Sequence, residues 1–402
     1  MTNRLRSLRR LLVACSLLVL CALISASPAV AAVRLAGDAS GTGAPLIELD
    51  ATGEAFFAWD ANRPPDGTIP GRIFDPRHAE FGLSQAMIGL TATGRRSRAV
   101  MRIWRGWTPS VIWSGEPAGP VDWSLMREAN AGFRLDDPGN CEGARRGAGT
   151  WLEAGLFGSP IGLESVYARD NWLWSGALLN VAMPFYVAGA RLSHPLGAKT
   201  TAEIGLYGGW TRLSASNIPS TFIARVYGER DWGLWQVLLS SAPTRPDLDR
   251  TGAGQVRGWL LDGFASAKVN DDLELAAQLN GGFESWTLEG DGRMGLWAAT
   301  NVWARYKLND AWRLGARGGL FWQGGDRDIL LRPTGSFDLG RLWWPTERLI
   351  EAAVALEYKP VPSVMLRIES RVDHSADAIF VRHDGSLEQL RPTVSFGMAW
   401  TL

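Results

Sequence analysis

The stretch VMLRIESRVD, residues 364–373, alternates between apolar and charged side chains. Successive side chains of a β-strand point to opposite faces, so this strand has one apolar face and one charged face. The same alternation recurs in residues 273–280, 301–308, 350–359 and 393–402. A strand that crosses a bilayer needs about 9–11 residues, whereas ordinary strands have about 5–6. Repeated strands of this length and pattern indicate a sheet with one face in lipid and the other in water.

The gaps between the candidate strands alternate between short and long. Short gaps, rich in Asn, Asp or Pro, fall near Asp231 and at residues 270–272, 309–310 and 359–362. Such residues favour tight turns. Long polar gaps cover residues 61–76, 158–183, 242–255, 324–346 and 375–390, and the gap at 136–148 is long where a short one is expected.

This sorting of the gaps predicts a fold. Transmembrane β-barrels carry short periplasmic turns at one rim and long external loops at the other. The sequence therefore predicts an all-β protein, a transmembrane antiparallel up-and-down β-barrel of about 16 strands. An even strand number places both ends of the barrel at the periplasmic rim.

The first 32 residues predict a secretory signal. Four arginines between Arg4 and Arg10 precede an apolar run over 11–24, and small residues at 29–31 suit cleavage. A lipoprotein signal at Cys15 fits less well, because only four apolar residues precede that cysteine. We therefore divide the chain into a signal peptide, 1–32, and an outer-membrane β-barrel, 33–402. Export through this signal, with no later apolar run long enough for a spanning helix, leaves the periplasm, the outer membrane or the medium as the location. The barrel prediction selects the outer membrane of a Gram-negative cell.

Composition narrows the functional classes. The chain has 46 Gly, 20 Trp and 14 Phe, which fits aromatic girdles at two membrane interfaces. Removal of the signal takes four arginines from a balance of 41 basic and 41 acidic residues and leaves a net charge of −4, which gives no basis for nucleic-acid binding. Cys141 is then the one remaining cysteine. No metal cluster, phosphate loop or cofactor motif stands out, so no catalytic residue, metal or cofactor is predicted.

Several short motifs resemble those of one family. GTWLEAGLF at 149–157 and SPIGLE at 159–164 are similar to the G-x-F-x-(S/T)-P-I-G-x-E stretch of the beta-barrel porin-2 (OmpL-like) family. PFYVAGARL at 184–192 stands where that family has Tyr/Phe-x-x-G-x-R-L, and residues 55–86 resemble its opening hairpin. Two positions depart from the pattern, since Gly208 replaces an Asn and Leu402 replaces the usual terminal Phe. The resemblance implies a porin, a water-filled passage for the passive diffusion of small hydrophilic solutes and ions.

Charged residues opposite the apolar faces are candidates for the pore lining. They can create a field across the lumen that favours polar solutes, or they can pair across adjacent strands and merely solvate the wall. The segment 158–183 is long enough either to fold into the lumen or to cap the barrel from outside. The candidate pore-lining residues are Arg305, Lys307, Arg313, Arg317, Glu351, Glu357, Arg367, Glu369 and Arg371.

The barrel reading also predicts partners. These are outer-membrane lipids and lipopolysaccharide, and the barrel assembly machinery, which reads the C-terminal strand. Arg72, Arg77 and other loop arginines could touch lipopolysaccharide, or they could simply be solvated. Small polar solutes are the expected cargo, and a homo-oligomer is left open. No single tryptophan is assigned a binding role, but the pairs Trp172/Trp174 and Trp343/Trp344 are expected in external loops, where they could contact lipid, sugar or one another.

Two other classes are weighed against the porin. An outer-membrane barrel enzyme would need His with a carboxylate or Ser, and such residues occur in Asp373-His374-Ser375 and His383-Asp384. His78 and His194 are single residues at strand ends. No G-x-S-x-G turn supports a nucleophile among them. A secreted soluble β-sheet protein that binds carbohydrate through its tryptophans is the other class, but its propeller form needs a blade repeat that the sequence lacks.

Overall fold

A computed structural model describes residues 32–37, 45–116, 122–136, 149–209, 213, 221–243, 257–288, 291–325 and 344–402. Residues 1–31 of the predicted signal, Cys141 and Trp343 lie outside these ranges. Within the described residues, sixteen antiparallel strands form one closed barrel, which confirms the predicted fold.

Short elements precede the barrel and decorate its connections. A four-residue strand, β1 (Val33–Ala36), comes first, and a helix, α1 (Trp107–Ile112), follows the third barrel strand. Single 3₁₀ turns cover Trp123–Leu125 and Leu178–Ala182. No helix in the described ranges is long and apolar enough to cross a membrane.

The barrel strands follow in chain order, with one small hairpin, β17–β18, inserted before the last. Their bounds are β2 (Leu46–Asp60), β3 (Glu80–Thr93), β4 (Ser97–Arg105), β5 (Met126–Arg134), β6 (Trp151–Gly158), β7 (Tyr186–Gly197), β8 (Thr200–Tyr207), β9 (Thr221–Arg230), β10 (Gly233–Pro243), β11 (Arg257–Lys268), β12 (Leu273–Leu288), β13 (Asp291–Lys307), β14 (Trp312–Gly325), β15 (Arg348–Val361), β16 (Val364–Ser375), β17 (Phe380–Val381), β18 (Leu387–Glu388) and β19 (Leu390–Thr401).

The last strand closes the ring on the first. β19 pairs antiparallel with β2 from Thr393 opposite Asp60 to Thr401 opposite Thr52. Beyond that point β1 takes over the free side of β2, where Val33 lies opposite Leu49. Closure of this kind satisfies the backbone groups that an open sheet edge would expose, which a bilayer does not tolerate.

Burial alternates along the strands as the sequence predicts. Leu279, Val354 and Ile368 are 64, 55 and 50 % exposed on the outer face, whereas their neighbours Gln278 and Glu369 are buried within the barrel. Exposed aromatic side chains lie toward both ends of the strands, with Tyr306 and Trp312 near the short turns and Trp59, Trp259 and Trp322 near the long loops. This exterior is that of a membrane barrel, so a soluble sandwich or propeller does not fit.

The connections follow the predicted alternation with four differences, one of which is the long connection 208–220 between β8 and β9, absent from the predicted long gaps. The gap after β5, residues 135–150, does join two barrel strands at the short-turn rim, so it is a genuine long connection there. The connection 106–125, which contains α1, is also long, although it is not among the long gaps predicted from the sequence. Conversely, only residues 289–290 separate β12 from β13 at the long-loop rim.

Two of the long connections fold into the barrel. We call residues 159–185, between β6 and β7, the long inner segment, and residues 61–79, between β2 and β3, the short inner segment. Leu173, Leu178 and Leu179 of the former belong to an apolar cluster that includes inward-facing Trp303 and Ala355 of the wall. The lumen is therefore partly filled by the chain's own loops, and the sequence reading's first alternative for residues 158–183 is confirmed.

Candidate functional site

Wall carboxylates hold the backbone of the long inner segment. Glu54 on β2 accepts hydrogen bonds from the backbone N–H groups of Ala168 and Arg169, at 3.2 and 3.0 Å. Glu369 on β16 accepts from the N–H of Ser175 at 3.0 Å and also from its hydroxyl. Hydrogen bonds to a charged acceptor are roughly twice as strong as neutral ones, so these carboxylates anchor the segment firmly.

Wall arginines bind the carbonyl groups of the same stretch. Arg317 donates to the Ser175 carbonyl and Arg371 to the Gly176 carbonyl, each at 2.6 Å. Glu351 lies between these two arginines, with its carboxylate 3.1 Å from Arg317 and 2.9 Å from Arg371. Every charge in this cluster has a partner, as buried charges require. The cluster ties β14, β15 and β16 to the segment.

The beginning of the long inner segment is bound to the opposite part of the wall. Gln236 on β10 donates to the Pro160 carbonyl at 2.8 Å, and Gln278 on β12 accepts from the Leu163 N–H at 3.0 Å. Glu164 then accepts from Arg317 at 3.0 Å. The segment therefore spans the lumen from β10–β12 to β2 and β14–β16 before it returns to β7.

The short inner segment adds a second buried ionic cluster. Arg72 lies 3.4 Å from Asp75 and also donates to Thr393 on β19. Burial raises the pKa of Asp75, and the neighbouring Arg72 charge opposes that rise. Arg391 on β19 donates to the Pro70 carbonyl at 2.7 Å. The prediction that Arg72 touches lipopolysaccharide is wrong, because its guanidinium is enclosed in the barrel, whereas Arg77 is partly exposed beside Glu80.

Charges on the other side of the lumen are not covered. The side chains of Arg98 on β4, Arg191 on β7 and Arg225 on β9 are 26, 20 and 14 % exposed, against 0–1 % for Arg317 and Arg371. All five point inward, so the exposed ones face space inside the barrel. Water thus reaches these three arginines, whereas Trp104, Tyr186 and Ile223, nearer the long-loop rim of the same strands, are buried in apolar clusters. On β14–β16 the long inner segment covers Arg317 and Arg371.

A cavity of about 1220 Å³ extends this space. Arg225, Tyr227 and Arg305 line it from the barrel wall, and Trp172 and Asp170 line it from the long inner segment. It reaches the short-turn rim, since the turns at 198–199 and 231 also border it. Burial raises the pKa of the Asp170 carboxyl, and the adjacent Arg169 opposes this.

All nine predicted pore-lining residues lie on the inward face, but they divide into two groups. Arg305, Lys307 and Arg313 are partly exposed near the short-turn rim, and Arg305 lines the cavity. The others are covered by the inner segments or by one another, and their lining role stays a prediction. The covered residues are Arg317, Glu351, Glu357, Arg367, Glu369 and Arg371.

The tryptophans expected at the surface lie inside. Trp174 is fully buried under Gly397 of β19, where a Cβ would come 2.1 Å from the indole. Trp172 packs under Arg305, whose guanidinium carbon lies 4.9 Å from the ring centroid, and Trp344 packs beside Gly71. The expected placement of these three in external loops is therefore wrong, because their segments turn inward.

The residues of the enzyme alternative do not converge. Asp373 points inward and is bound by Arg391 at 2.8 Å, whereas the next side chain, His374, points outward. His78 accepts a hydrogen bond from the Asp60 N–H, and His194 pairs with the Thr150 hydroxyl. The described residues contain no group of three or more His, Cys, Asp or Glu suited to a metal ion.

The sequence reading missed the uncovered charges on β4–β9. Arg98 and Arg102 alternate with apolar residues in SRAVMRIWR, and the same signal places Arg191 and Glu203 inward on β7 and β8. These strands are short, and their charged residues are fewer than those of the C-terminal strands. The alternation is present on β4–β9, but it is more regular on β12–β19, where all the predicted pore-lining residues lie.

Comparison with known proteins agrees with this architecture. A family model described as "Putative beta-barrel porin-2, OmpL-like" matches residues 47–400. No curated protein sequence matches the chain significantly.

Several solved outer-membrane structures share the fold. The outer membrane channel DcaP of Acinetobacter baumannii is 12 % identical, with a TM-score of 0.58 over 92 % of this chain and 100 % of that one. OmpT of Vibrio cholerae is 9 % identical, with a TM-score of 0.57 over 92 % and 100 %. An anion-selective porin from Comamonas acidovorans is 10 % identical, with a TM-score of 0.56 over 89 % and 99 %. At these identities the likeness concerns the fold alone.

The family match covers all sixteen strands of the ring. The ring is closed, its outer face is apolar, and the long inner segment folds into its lumen. The chain therefore belongs to the OmpL-like beta-barrel porin-2 family and is an outer-membrane barrel of the porin type.

Proposed function

We propose that the protein is a water-filled channel through which small hydrophilic solutes and ions diffuse passively across the outer membrane. The observation that carries the proposal is the uneven exposure of the inward charges. Arg98, Arg191 and Arg225 on β4, β7 and β9 remain in contact with water, as do Arg305 and Arg313 near the short-turn rim. In contrast, Arg317 and Arg371 on β14 and β16 are buried because they bind the long inner segment. A barrel filled only for stability would have no reason to leave one side of its lumen charged and open.

The long inner segment sets the size limit in this proposal. It crosses the lumen and is anchored to the wall at Glu54, Asp262 and Glu369. Solutes pass between this segment and the wall along β4–β9, and then through the cavity beside Arg225 toward the short-turn rim.

Export and orientation complete the proposal. The N-terminal segment 1–32 directs secretion and is removed, so the mature protein begins at Val33, which N-terminal sequencing of the outer-membrane form checks. The long-loop rim faces outward toward lipopolysaccharide, and the strand β19 is recognised by the assembly machinery. In this arrangement the protein would lie in the Gram-negative outer membrane and let ions pass through it.

Planar-bilayer recording tests the proposal directly. Purified protein, folded as judged by heat-modifiable migration on a detergent gel, is expected to insert and give discrete conductance steps. The same preparation denatured by heat is the control and is expected to give none. Folded, inserted protein that passes no current would overturn the channel function.

A further inference from the structure

One row of charged side chains crosses the uncovered wall. We call it the arginine row: Arg98, Glu153, Arg191, Glu203 and Arg225, on β4, β6, β7, β8 and β9. Arg98 and Arg191 both bind Glu153, at 2.6 and 2.8 Å. Arg225 binds Glu203 at 2.8 Å, and Arg191 approaches Glu203 to 3.8 Å. Three cations therefore share two anions, and the row carries one net positive charge.

A glycine makes the row continuous. Gly132 on β5 lies directly between Arg98 and Glu153 in the strand register. A Cβ at Gly132 would come 2.4 Å from Cγ of Glu153, so any other residue would push the carboxylate away from its position. The absence of a side chain there lets Arg98 reach across β5 to Glu153.

Aromatic rings fix each guanidinium against the wall. A cation over a ring face is attracted by the ring quadrupole, and the planar guanidinium suits such stacking. The guanidinium-to-centroid distances are 4.4 Å for Arg98 over Trp151, 4.2 Å for Arg191 over Phe157 and 4.3 Å for Arg225 over Tyr227.

The two signs of charge differ in exposure. The three arginine side chains are 14–26 % exposed, but Glu153 and Glu203 are only 3 and 4 % exposed. Solutes in the lumen therefore meet the cations first, with the carboxylates behind them. A second group of charges lies further along β4, where Arg102 binds Asp50 and Glu128. The charge of Arg127 also acts on Glu128. Two cations and two anions meet there, so this group adds no net charge.

We propose that the arginine row makes the channel selective for small anions, including carboxylate and phosphate solutes. The inference rests on the proposed channel function and names its substrate class. A fixed cation about 10 Å from a passing ion in water changes its local concentration by about twofold, and the low-dielectric wall strengthens the effect. Because salt screens these charges, the preference for anions rises as the ionic strength falls.

The test measures reversal potentials in bilayers across a tenfold KCl gradient. The parent protein is expected to pass chloride in preference to potassium. Arg191→Gln is expected to lower the chloride-to-potassium permeability ratio by about fourfold, since the cation enriches chloride about twofold and depletes potassium about twofold. Arg191→Lys, which keeps the charge, retains the ratio. Arg382→Gln is the matched control, because Arg382 pairs with Glu388 in the last long loop, where the two side chains are 42 and 41 % exposed. Glu203→Gln should shift the ratio in the opposite direction, toward more chloride.

Each result bears on a different claim. A conducting parent with no preference for chloride overturns the anion proposal but leaves the channel standing, whereas a parent that does not conduct overturns the channel itself. Equal ratios for Arg191→Gln and Arg382→Gln, or loss of the preference in Arg191→Lys, would also overturn the role of the arginine row. Band-shift assays confirm that each variant is folded before its current is recorded. Inorganic phosphate added to one side is expected to reduce the chloride current of the parent more than that of Arg191→Gln.

Discussion

Replacing Glu369 with alanine is predicted to release the long inner segment and enlarge the channel. The Glu369 carboxylate accepts the backbone N–H groups of Trp174 and Ser175, and it also accepts the Ser175 hydroxyl. A water that enters the space left by the carboxylate carries no charge, so it does not replace the anion beside Arg371. Glu369→Ala therefore leaves several buried donors without a charged acceptor, and it deprives the adjacent arginines of an anion.

The magnitude follows from the burial of the site. Removing one partner from a buried, hydrogen-bonded charge cluster costs about 3–5 kcal/mol. Since about 1.4 kcal/mol corresponds to a tenfold change in an equilibrium constant, the anchored state of the segment loses about a hundredfold to a few thousandfold in its favour. The other anchors, among them Glu54 and Glu351, remain, so the expected result is a channel that visits a wider state rather than an empty barrel.

Single-channel recording separates this outcome from simple damage. Glu369→Ala should show added steps of higher conductance and more current noise than the parent. Glu388→Ala also removes a glutamate, but from an exposed pair with Arg382 that is worth at most about 1 kcal/mol, and it should leave the conductance unchanged. A Glu369→Ala channel whose conductance histogram matches that of both the parent and the control would refute the anchoring argument.

Three further predictions concern stability in detergent or lipid. Gly397→Ala places a Cβ against the Trp174 indole and should lower the free energy of unfolding by about 1–3 kcal/mol, while Gly53→Ala, which meets nothing within 4 Å, should not change the urea midpoint in this way. Because the pKa of Asp75 is raised in the fold, its carboxyl keeps its proton to a higher pH in the folded barrel than in the unfolded chain. The free energy of unfolding should therefore fall as the pH rises from the ordinary pKa of Asp through the raised one. Asp75→Asn should flatten this pH dependence in a series of urea midpoints. Trp312→Ala removes an aromatic stack on the outer face, in which the ring centroids lie 4.5 Å apart. Such a stack contributes about 0.5–1.5 kcal/mol in addition to the burial of apolar area, so the heat-unfolding midpoint on gels should fall. An unchanged midpoint would contradict this.

The strand pattern of this protein could be predicted because it depends on local chemistry. A side-chain period of two leaves each strand only one way to put its apolar face into lipid. Leu279, Val354 and Ile368 are outward and Glu351 and Arg367 are inward for that reason alone. The short turns at residues 270–272 and 309–310 follow equally from Asn270 and Asn309, whose side chains accept backbone N–H groups in the turn.

The functional surface could not be read in the same way, because it depends on contacts that are distant in sequence. Whether an inward arginine meets water or protein is decided by where the long inner segment lies, and Ser175 is 194 residues away from its anchor Glu369. Arg371 and Arg191 look alike as inward charges on amphipathic strands, yet one is covered and the other is exposed to the lumen. The tryptophans of the long gaps were misplaced for the same reason.

Cysteine accessibility tests most directly whether the water path follows β4–β9 and avoids the wall beneath the inner segments. In a Cys141→Ser background, Thr201→Cys places a thiol in the cavity, and Ala355→Cys places one in the apolar cluster under the long inner segment. We predict that a charged, membrane-impermeant thiol reagent reduces the current through the Thr201→Cys channel and leaves the Ala355→Cys channel unchanged. Equal block of both, or block of Ala355→Cys alone, would contradict the account.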